Sequence, residues 1–219
     1  MPKNEVLILY LDLSKQDKSL ESDYFQTLPS ALQENISEYK IEKDRSQRIW
    51  SKYLLQKAFE TLNPEIDFSW DLYQKQNGEK AYFKNVEFSF SSSHSEDLVV
   101  VCASKTLKCG IDIEFIQARE ISDLKDFLHP KEQEYLESTN HNLSAFYEIW
   151  TRKEALLKAV GLGVSAEFSS VNSLERFTYQ NEVYFSKLMQ IKSGYQCAIA
   201  ANVESFVVEV KKEILGFLL

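Results

Sequence analysis

Apolar runs of strand length alternate with amphipathic stretches of helix length along this chain, which predicts a fold of packed sheets and helices. Strands are predicted at residues 6–11, 68–74, 86–91, 98–103, 109–114, 183–188, 195–203 and 206–210. Helices are predicted at residues 23–37, with Pro29 at a helix start, and at residues 43–62, 130–138 and 144–160. Polar turns are expected at Asn77-Gly78 and at residues 92–97.

Two of the predicted helices resemble each other. Residues 49–58 read Ile-Trp-Ser-Lys-Tyr-Leu-Leu-Gln-Lys-Ala, and residues 149–159 read Ile-Trp-Thr-Arg-Lys-Glu-Ala-Leu-Leu-Lys-Ala. Each is followed by a strand that contains Cys and Ala, at 99–103 and 195–201. The repeat predicts an α+β fold of two similar α/β halves, 1–104 and 105–219, with a pseudo-twofold duplication and a ligand cleft between them. Chance similarity between two leucine-rich helices is the alternative.

Composition and charge narrow the choice of function. The chain has 219 residues, 44% hydrophobic and 13% aromatic, so it can bury a core and is not disordered. Its net charge of −8 argues against nucleic-acid binding as its main role, although a local basic pocket can still hold a phosphate. Cys102, Cys109 and Cys197 lie in apolar runs, which indicates buried free thiols in a reducing cytoplasm. The first apolar run is too short for a membrane span, and neither export nor membrane attachment is expected.

Three side chains of the last predicted helix share one face. Trp150, Glu154 and Lys158 are spaced by four residues, so a carboxylate and an ammonium project one turn apart. Gly161 follows at a helix C-cap position. An ordinary surface helix with a Glu–Lys ion pair has the same spacing, so this stretch alone does not establish a site.

Two carboxylates alternate on a predicted strand, in Gly110-Ile-Asp-Ile-Glu114. Alternate residues of a strand share a face, so Asp112 and Glu114 point the same way and repel each other unless a cation lies between them. Carboxylate oxygens are hard ligands that suit Mg²⁺ or Mn²⁺. A solvated sheet edge would show the same pattern.

A third polar segment, Ser93-His94-Ser95, lies between two predicted strands. Hydroxyls and an imidazole in a tight turn can hold a phosphate, and the alternative is a polar hairpin with an exposed histidine. Taken together, the three segments resemble the surfactin-synthetase-type (Sfp-type) 4′-phosphopantetheinyl transferases. In that family the acidic pair and the Lys-Glu helix are separated by a distance similar to the one found here, 154 − 112 = 42 positions. The length fits the double-copy, monomeric form of the family.

The resemblance implies roles for individual residues. Asp112, Glu114 and Glu154 would hold Mg²⁺, and Lys158, supported by Lys153, would meet the pyrophosphate of coenzyme A. Ser93 and His94 would bind the nucleotide end of coenzyme A, and His94 and Arg48 would lie near the ribose 3′-phosphate. Lys80, in the loop after Gly78, would line the adenine side, and Gly78 also belongs to the site.

Three positions depart from the family pattern. Ser91 replaces a frequent Asn, and Gly161-Leu-Gly163 replaces Gly-Lys-Gly. The early lysines that some members use for the 3′-phosphate have no counterpart near Leu32 and Asn35. The recognition of the 3′-phosphate is therefore expected to differ in detail.

The implied reaction transfers phosphopantetheine from coenzyme A to a serine of an apo acyl or peptidyl carrier protein, with Glu154 as the general base and Lys158 and Asp112 as the other catalytic groups. Carrier docking is expected on an apolar patch within residues 123–135, with Phe127 and Leu128, because an acidic chain cannot steer an acidic carrier over long range. Two alternatives are a Mg²⁺-dependent coenzyme A phosphohydrolase and a non-catalytic module that binds coenzyme A or a nucleotide.

Overall fold

The structure is a computed structural model that describes residues 4–15, 18–75, 80–118, 122–162 and 168–213. Within these ranges the helices are α1 Lys18–Thr27, α2 Ser30–Ser37, α3 Glu42–Leu62, α4 Pro130–Ser138 and α5 Leu143–Val160. The strands are β1 Glu5–Asp12, β2 Tyr73–Gln74, β3 Tyr82–Phe83, β4 Ser89–Ser95, β5 Leu98–Ser104, β6 Cys109–Phe115, β7 Phe177–Tyr179, β8 Glu182–Met189, β9 Tyr195–Ala201 and β10 Val207–Lys212. The expected turn at Asn77-Gly78 lies outside the described residues.

The two halves repeat one topology, which confirms the predicted α+β fold with duplication. In the first sheet β1, β5 and β4 are neighbours in that order, and in the second sheet β6, β9 and β8 are neighbours in that order. All of these neighbours are antiparallel. In both halves the long helix, α3 or α5, follows the first of the three strands along the chain. The similarity between the sequences of α3 and α5 is therefore structural.

The last strand crosses from the second half back to the first. β10 pairs in parallel with β1, from Glu5 opposite Val207 to Tyr10 opposite Lys212. It extends the first sheet to the order β10-β1-β5-β4. The boundary at 104/105 remains a prediction, and β10 ties the two sides of that boundary together.

The core forms layers because strand residues alternate between two faces. Leu7 and Leu9 of β1 pack in the cluster that contains the buried face of α3. Val6 and Ile8, on the opposite face of β1, pack against Ile111 and other residues of the second sheet. The far face of the second sheet packs against α5. The order of layers is therefore helix, sheet, sheet, helix.

Three element predictions were wrong. Residues 68–74 form a 3₁₀ helix, Trp70–Leu72, and the two-residue strand β2, because their aromatic side chains pack in a cluster that needs no long strand. The predicted helix at 23–37 is two helices, and Pro29 lies at the N-cap of α2. The segment 92–97 is not a polar turn, since β4 continues to Ser95 and the turn contains only Glu96 and Asp97.

Candidate active site

A cleft of about 920 Å³ opens between the two halves. Its first-half wall comes from α2, α3, β4 and the segment around β2, and its second-half wall comes from β6 and α5. Most of the predicted site residues line this cleft: Arg48, Lys80, Ser93, His94, Asp112, Glu114, Glu154 and Lys158. Gly78 lies outside the described residues, and Lys153 lies elsewhere in the fold.

The three carboxylates meet because β6 and α5 approach closely. Ile111 and Ile113 are buried in the core, so Asp112 and Glu114 of β6 face the cleft, as their alternation predicts. Gly110 allows this approach, since a Cβ atom at this position would lie 2.1 Å from the backbone oxygen of Ala155. Glu154 of α5 then lines the same wall.

The Lys158 ammonium neutralises part of this acidic wall. Its Nζ lies 2.7 Å from Asp112 Oδ1. Although burial opposes its charge, the carboxylate of Asp112 and those of Glu154 and Glu114 raise the pKa of Lys158. Burial raises the pKa of Glu114 to about 7, and the neighbouring Asp112 carboxylate adds to this effect. Burial also raises the pKa of Glu154.

The carboxylate oxygens of Asp112, Glu114 and Glu154 are of the chemical type that binds a hard divalent cation, but they are farther apart than the ligands of a bound metal ion. Asp112 Oδ2 is buried and has no hydrogen-bond partner among the described residues. Within the described ranges, however, no three His, Cys, Asp or Glu side chains are grouped closely enough to hold a metal ion. The Lys158 ammonium instead supplies the positive charge next to Asp112. An all-oxygen donor set with an unused, buried carboxylate oxygen suits Mg²⁺ or Mn²⁺.

The seam between the halves is a ladder of serine hydroxyls, where β4 lies beside β6. Four serines of β4 accept hydrogen bonds from four backbone N–H groups of β6: Ser89 from Cys109 at 3.2 Å, Ser91 from Ile111 at 3.3 Å, Ser93 from Ile113 at 3.4 Å and Ser95 from Phe115 at 3.0 Å. These N–H groups lie on the open edge of the second sheet, which is why a strand so rich in serine is stable at this place.

The first-half wall contains more positive charge than the sequence prediction assigned. Lys52 lies one helical turn after Arg48 on α3, and Lys52 Nζ donates to Tyr73 Oη at 3.1 Å. Burial, together with Lys75 and Arg48, lowers the pKa of Lys52 to about 8. The Arg48 guanidinium stacks 3.6 Å above the Tyr39 ring, and its Nε is buried with no partner among the described residues. Lys52 and Lys75 both line the cleft, and the i,i+4 spacing from Arg48 was the available signal for Lys52.

His94 and Lys80 lie on this side of the cleft as well. Burial lowers the pKa of His94, and the nearby Arg48 and Lys158 lower it further. Lys80 Nζ donates to the carbonyl oxygen of Cys109 at 2.8 Å, and burial lowers its pKa. Lys80 thus links the loop before β3 to the start of β6.

Lys153 does not reach the cleft, so its predicted support of the pyrophosphate is wrong. It is fully buried, and its Nζ lies 2.6 Å from Glu132 Oε2 of α4, which is also fully buried. Lys153 Nζ donates further to the carbonyl oxygens of Phe127 and Phe168. Burial lowers the pKa of Lys153 against the opposing effect of the Glu132 carboxylate. The reason is helical geometry, because adjacent residues of a helix point in different directions.

Lys153→Met is therefore expected to destabilise the fold and not the chemistry. It leaves Glu132 as a buried, unpaired charge, which costs roughly 3–5 kcal/mol in the free energy of unfolding. Urea denaturation would measure this loss, and the double variant Lys153→Met/Glu132→Gln should recover part of it by removing the second charge. Unchanged stability of Lys153→Met, combined with weaker coenzyme A binding, would instead indicate that Lys153 contacts the pyrophosphate.

The predicted docking patch is only partly exposed. Phe127 is 43% exposed, but Leu128 is 2% exposed and belongs to the core cluster around Leu136 and Phe146. Leu128 was therefore wrongly expected at the surface. Phe127 alone is available for contact from this pair.

Comparisons with known proteins agree with the family that the sequence resembles. Residues 108–208 match the family model described as the 4′-phosphopantetheinyl transferase superfamily. The chain is 33% identical to the 4′-phosphopantetheinyl transferase gsp of Aneurinibacillus migulanus, over 67% of this chain and 62% of the relative. It is 24% identical to the L-aminoadipate-semialdehyde dehydrogenase-phosphopantetheinyl transferase of Schizosaccharomyces pombe, over 87% of this chain and 80% of the relative. It is 29% identical to the 4′-phosphopantetheinyl transferase AcpT of Salmonella typhi, over 59% of this chain and 65% of the relative.

Residues 108–208 are therefore similar to the superfamily that the sequence resembles, and the matched relatives are named as 4′-phosphopantetheinyl transferases. The chain spans less than two thirds of the length of gsp and of AcpT. None of the helices in the described part of the chain is both long and apolar enough to cross a membrane.

Proposed function

We propose that the chain is a transferase of the surfactin-synthetase type, because residues 108–208 match the family model of the 4′-phosphopantetheinyl transferase superfamily. It transfers the 4′-phosphopantetheine group from coenzyme A to a serine of an apo acyl or peptidyl carrier protein and releases 3′,5′-ADP. We further propose that it acts as a monomer, because one chain supplies both walls of the cleft. We also propose that it acts in the cytoplasm.

The observation that carries this proposal is a single cleft with two differently charged walls. Asp112, Glu114 and Glu154 line the second-half wall, whereas Arg48 and Lys52 line the first-half wall. A protein that binds coenzyme A has to neutralise the pyrophosphate and also bind the phosphate of the nucleotide. The first task requires hard oxygen ligands that hold a metal ion, and the second requires cations at a separate place. The volume of about 920 Å³ lies within the range of pockets for small molecules and cofactors.

The chain's own groups supply the electrostatics of the transfer. Lys158, held 2.7 Å from Asp112, is the cation that meets the pyrophosphate. Asp112, Glu114 and Glu154 would hold Mg²⁺ or Mn²⁺, which when bound would neutralise phosphate charge and polarise the phosphoryl oxygens. Asp112 Oδ2, which is buried and has no hydrogen-bond partner within the described ranges, supports this ligand set.

Glu154 is proposed as the general base. The serine oxygen of the carrier forms a bond to the β-phosphorus of coenzyme A, the bond from that phosphorus to the bridging oxygen breaks, and 3′,5′-ADP leaves with that oxygen. Glu154 accepts the serine proton, which is consistent with its position in the cleft one helical turn before Lys158.

The nucleotide end of coenzyme A is proposed to lie along the first-half wall. Arg48 and His94 both line the cleft, and Arg48 Nε, which has no hydrogen-bond partner in the described part of the chain, can donate to a phosphate oxygen. Lys80, which also lines the cleft, would lie on the adenine side. Some members of the family have lysines near the positions of Leu32 and Asn35, and this chain does not. Leu32 and Asn35 also line the cleft, and Lys52 supplies a cation to this wall of the cleft instead.

His94→Ala is expected to weaken coenzyme A binding more than 3′-dephospho-coenzyme A binding. A charge-assisted hydrogen bond to the 3′-phosphate contributes about 1.5–3 kcal/mol, or roughly 10- to 100-fold in affinity. Calorimetry with both ligands would measure the difference. The control is Ser92→Ala, since Ser92 is exposed and lines the same cleft. Equal losses for the two ligands would show that His94 does not contact the 3′-phosphate.

The rival reaction is hydrolysis of coenzyme A, and the acidic wall alone would also serve a Mg²⁺-dependent phosphohydrolase. The two reactions differ in their need for a carrier. The protein is incubated with coenzyme A and Mg²⁺, and the release of 3′,5′-ADP is measured by chromatography. We expect release only when an apo-carrier is present. Release at the same rate without any carrier would favour hydrolysis, and no release in either case would favour a binding module.

A further inference from the structure

We propose that Ser93 and Ser95 are positioning residues, which hold the Asp112 and Glu114 carboxylates in place from across the seam between the two halves. This inference rests on the proposed function, because those carboxylates are its metal ligands. The serines of β4 belong to the first half, and the carboxylates of β6 belong to the second. The geometry of the acidic wall therefore depends on how the halves meet.

The hydroxyl of Ser95 can point in only one direction. A serine hydroxyl has one proton to donate and two lone pairs that accept. The N–H of Phe115 donates to Ser95 Oγ at 3.0 Å, and Ser95 Oγ in turn lies 3.0 Å from Glu114 Oε2. Ser95 Oγ therefore donates its single proton to Glu114 Oε2.

Ser93 is fixed still more completely. Its Oγ accepts from the N–H of Ile113 at 3.4 Å and from Lys158 Nζ at 3.1 Å, so both lone pairs are used. Its single proton goes to Asp112 Oδ1 at 2.7 Å. Lys158 Nζ also contacts this oxygen. Ser93 and Lys158 thus occupy Oδ1 and leave the buried Oδ2 for a cation.

The other two serines of the ladder provide an internal control. Ser89 and Ser91 accept from the β6 backbone in the same way, but among the described residues neither hydroxyl has a carboxylate partner. Ser91 and Ser93 are each 7% exposed. Replacing either by alanine removes one seam hydrogen bond at equal burial, and only Ser93→Ala also removes a bond to a carboxylate.

The test compares Mn²⁺ affinity between these variants. Full-length protein with coenzyme A is titrated with Mn²⁺, and the free ion is measured by electron paramagnetic resonance. Groups that orient metal ligands affect metal affinity by about 10- to 100-fold, so Ser93→Ala should raise the Kd for Mn²⁺ by at least about tenfold. Ser91→Ala should leave the Kd for Mn²⁺ unchanged, although it should lower the Tm by about as much as Ser93→Ala does.

A second pair keeps the test decisive if Ser93→Ala does not fold. Ser95→Ala should weaken Mn²⁺ binding, whereas Ser95→Thr, which keeps the hydroxyl, should bind Mn²⁺ as the unchanged protein does. Equal Mn²⁺ affinities in Ser91→Ala, Ser93→Ala and Ser95→Ala would overturn the inference, and so would a lack of saturable Mn²⁺ binding by the unchanged protein. A protein that shows the expected differences but modifies no carrier would overturn the proposed function and not this inference.

Discussion

Glu154→Gln is expected to lower the rate of carrier modification by on the order of 10²- to 10⁴-fold, even at saturating Mg²⁺. The substitution keeps the shape of the side chain and one oxygen that can bind a metal, but it removes the group that accepts the serine proton. Glutamine is a good helix former, so α5 should remain folded. Turnover of an apo-carrier measured against Mg²⁺ concentration would show the effect, with circular dichroism as the control for folding.

The dependence on Mg²⁺ separates two roles of Glu154. If Glu154 were only a ligand, raising the Mg²⁺ concentration would recover much of the activity, because the loss would be one of metal affinity. Lys158→Ala is the matched variant, since it removes the phosphate cation one turn later on the same helix and should raise the KM for coenzyme A. Full recovery of Glu154→Gln by Mg²⁺ would contradict the base assignment, and near-normal activity of this variant at the ordinary Mg²⁺ concentration would remove Glu154 from the site.

Gly110→Ala is expected to cost more than about 3 kcal/mol in the free energy of unfolding, which is above the usual range for overpacking. The new Cβ would lie 2.1 Å from the backbone oxygen of Ala155 and 2.4 Å from the backbone nitrogen of Ala159. Strand β6 and helix α5 would have to separate, and these two elements carry the whole acidic wall. Denaturant titration would measure the loss.

The atoms that collide with this Cβ determine the control. They belong to the backbone of α5, so removing a side chain with Ala155→Gly or Ala159→Gly should not rescue Gly110→Ala. A rescue would mean that side-chain contacts limit the approach of the helix. Wild-type stability of Gly110→Ala would show that β6 and α5 are farther apart than described.

The parts of the fold that the sequence predicted are those with a strong local pattern. Strand β1, helix α3 and helix α5 were predicted within one or two residues of their observed bounds, because their apolar spacing is continuous. The faces of Asp112 and Glu154 also followed from strand and helix periods alone. Residues 92–95, the second part of β4, were misread as a turn, because the hydroxyls of Ser93 and Ser95 are satisfied by N–H groups of a strand that lies 20 residues further along the chain.

The candidate site shows the same division between local and tertiary information. Lys158 was placed correctly in the cleft, since it is four residues from Glu154 on one helix. Lys153 was assigned by family resemblance, although its position next to Glu154 turns it toward α4, where Glu132 is its partner. Leu128 looked available because the sequence cannot show that α4 and α5 cover it.

Intact-mass spectrometry of apo-carriers tests the central claim most directly. A panel of acyl and peptidyl carrier proteins is incubated with coenzyme A, Mg²⁺ and this protein, alongside the same carriers with the acceptor serine changed to alanine. We expect at least one carrier to gain the mass of a single phosphopantetheine group and its alanine variant to gain none. A panel in which every carrier keeps its apo mass, while coenzyme A binds to the folded protein, would contradict the account.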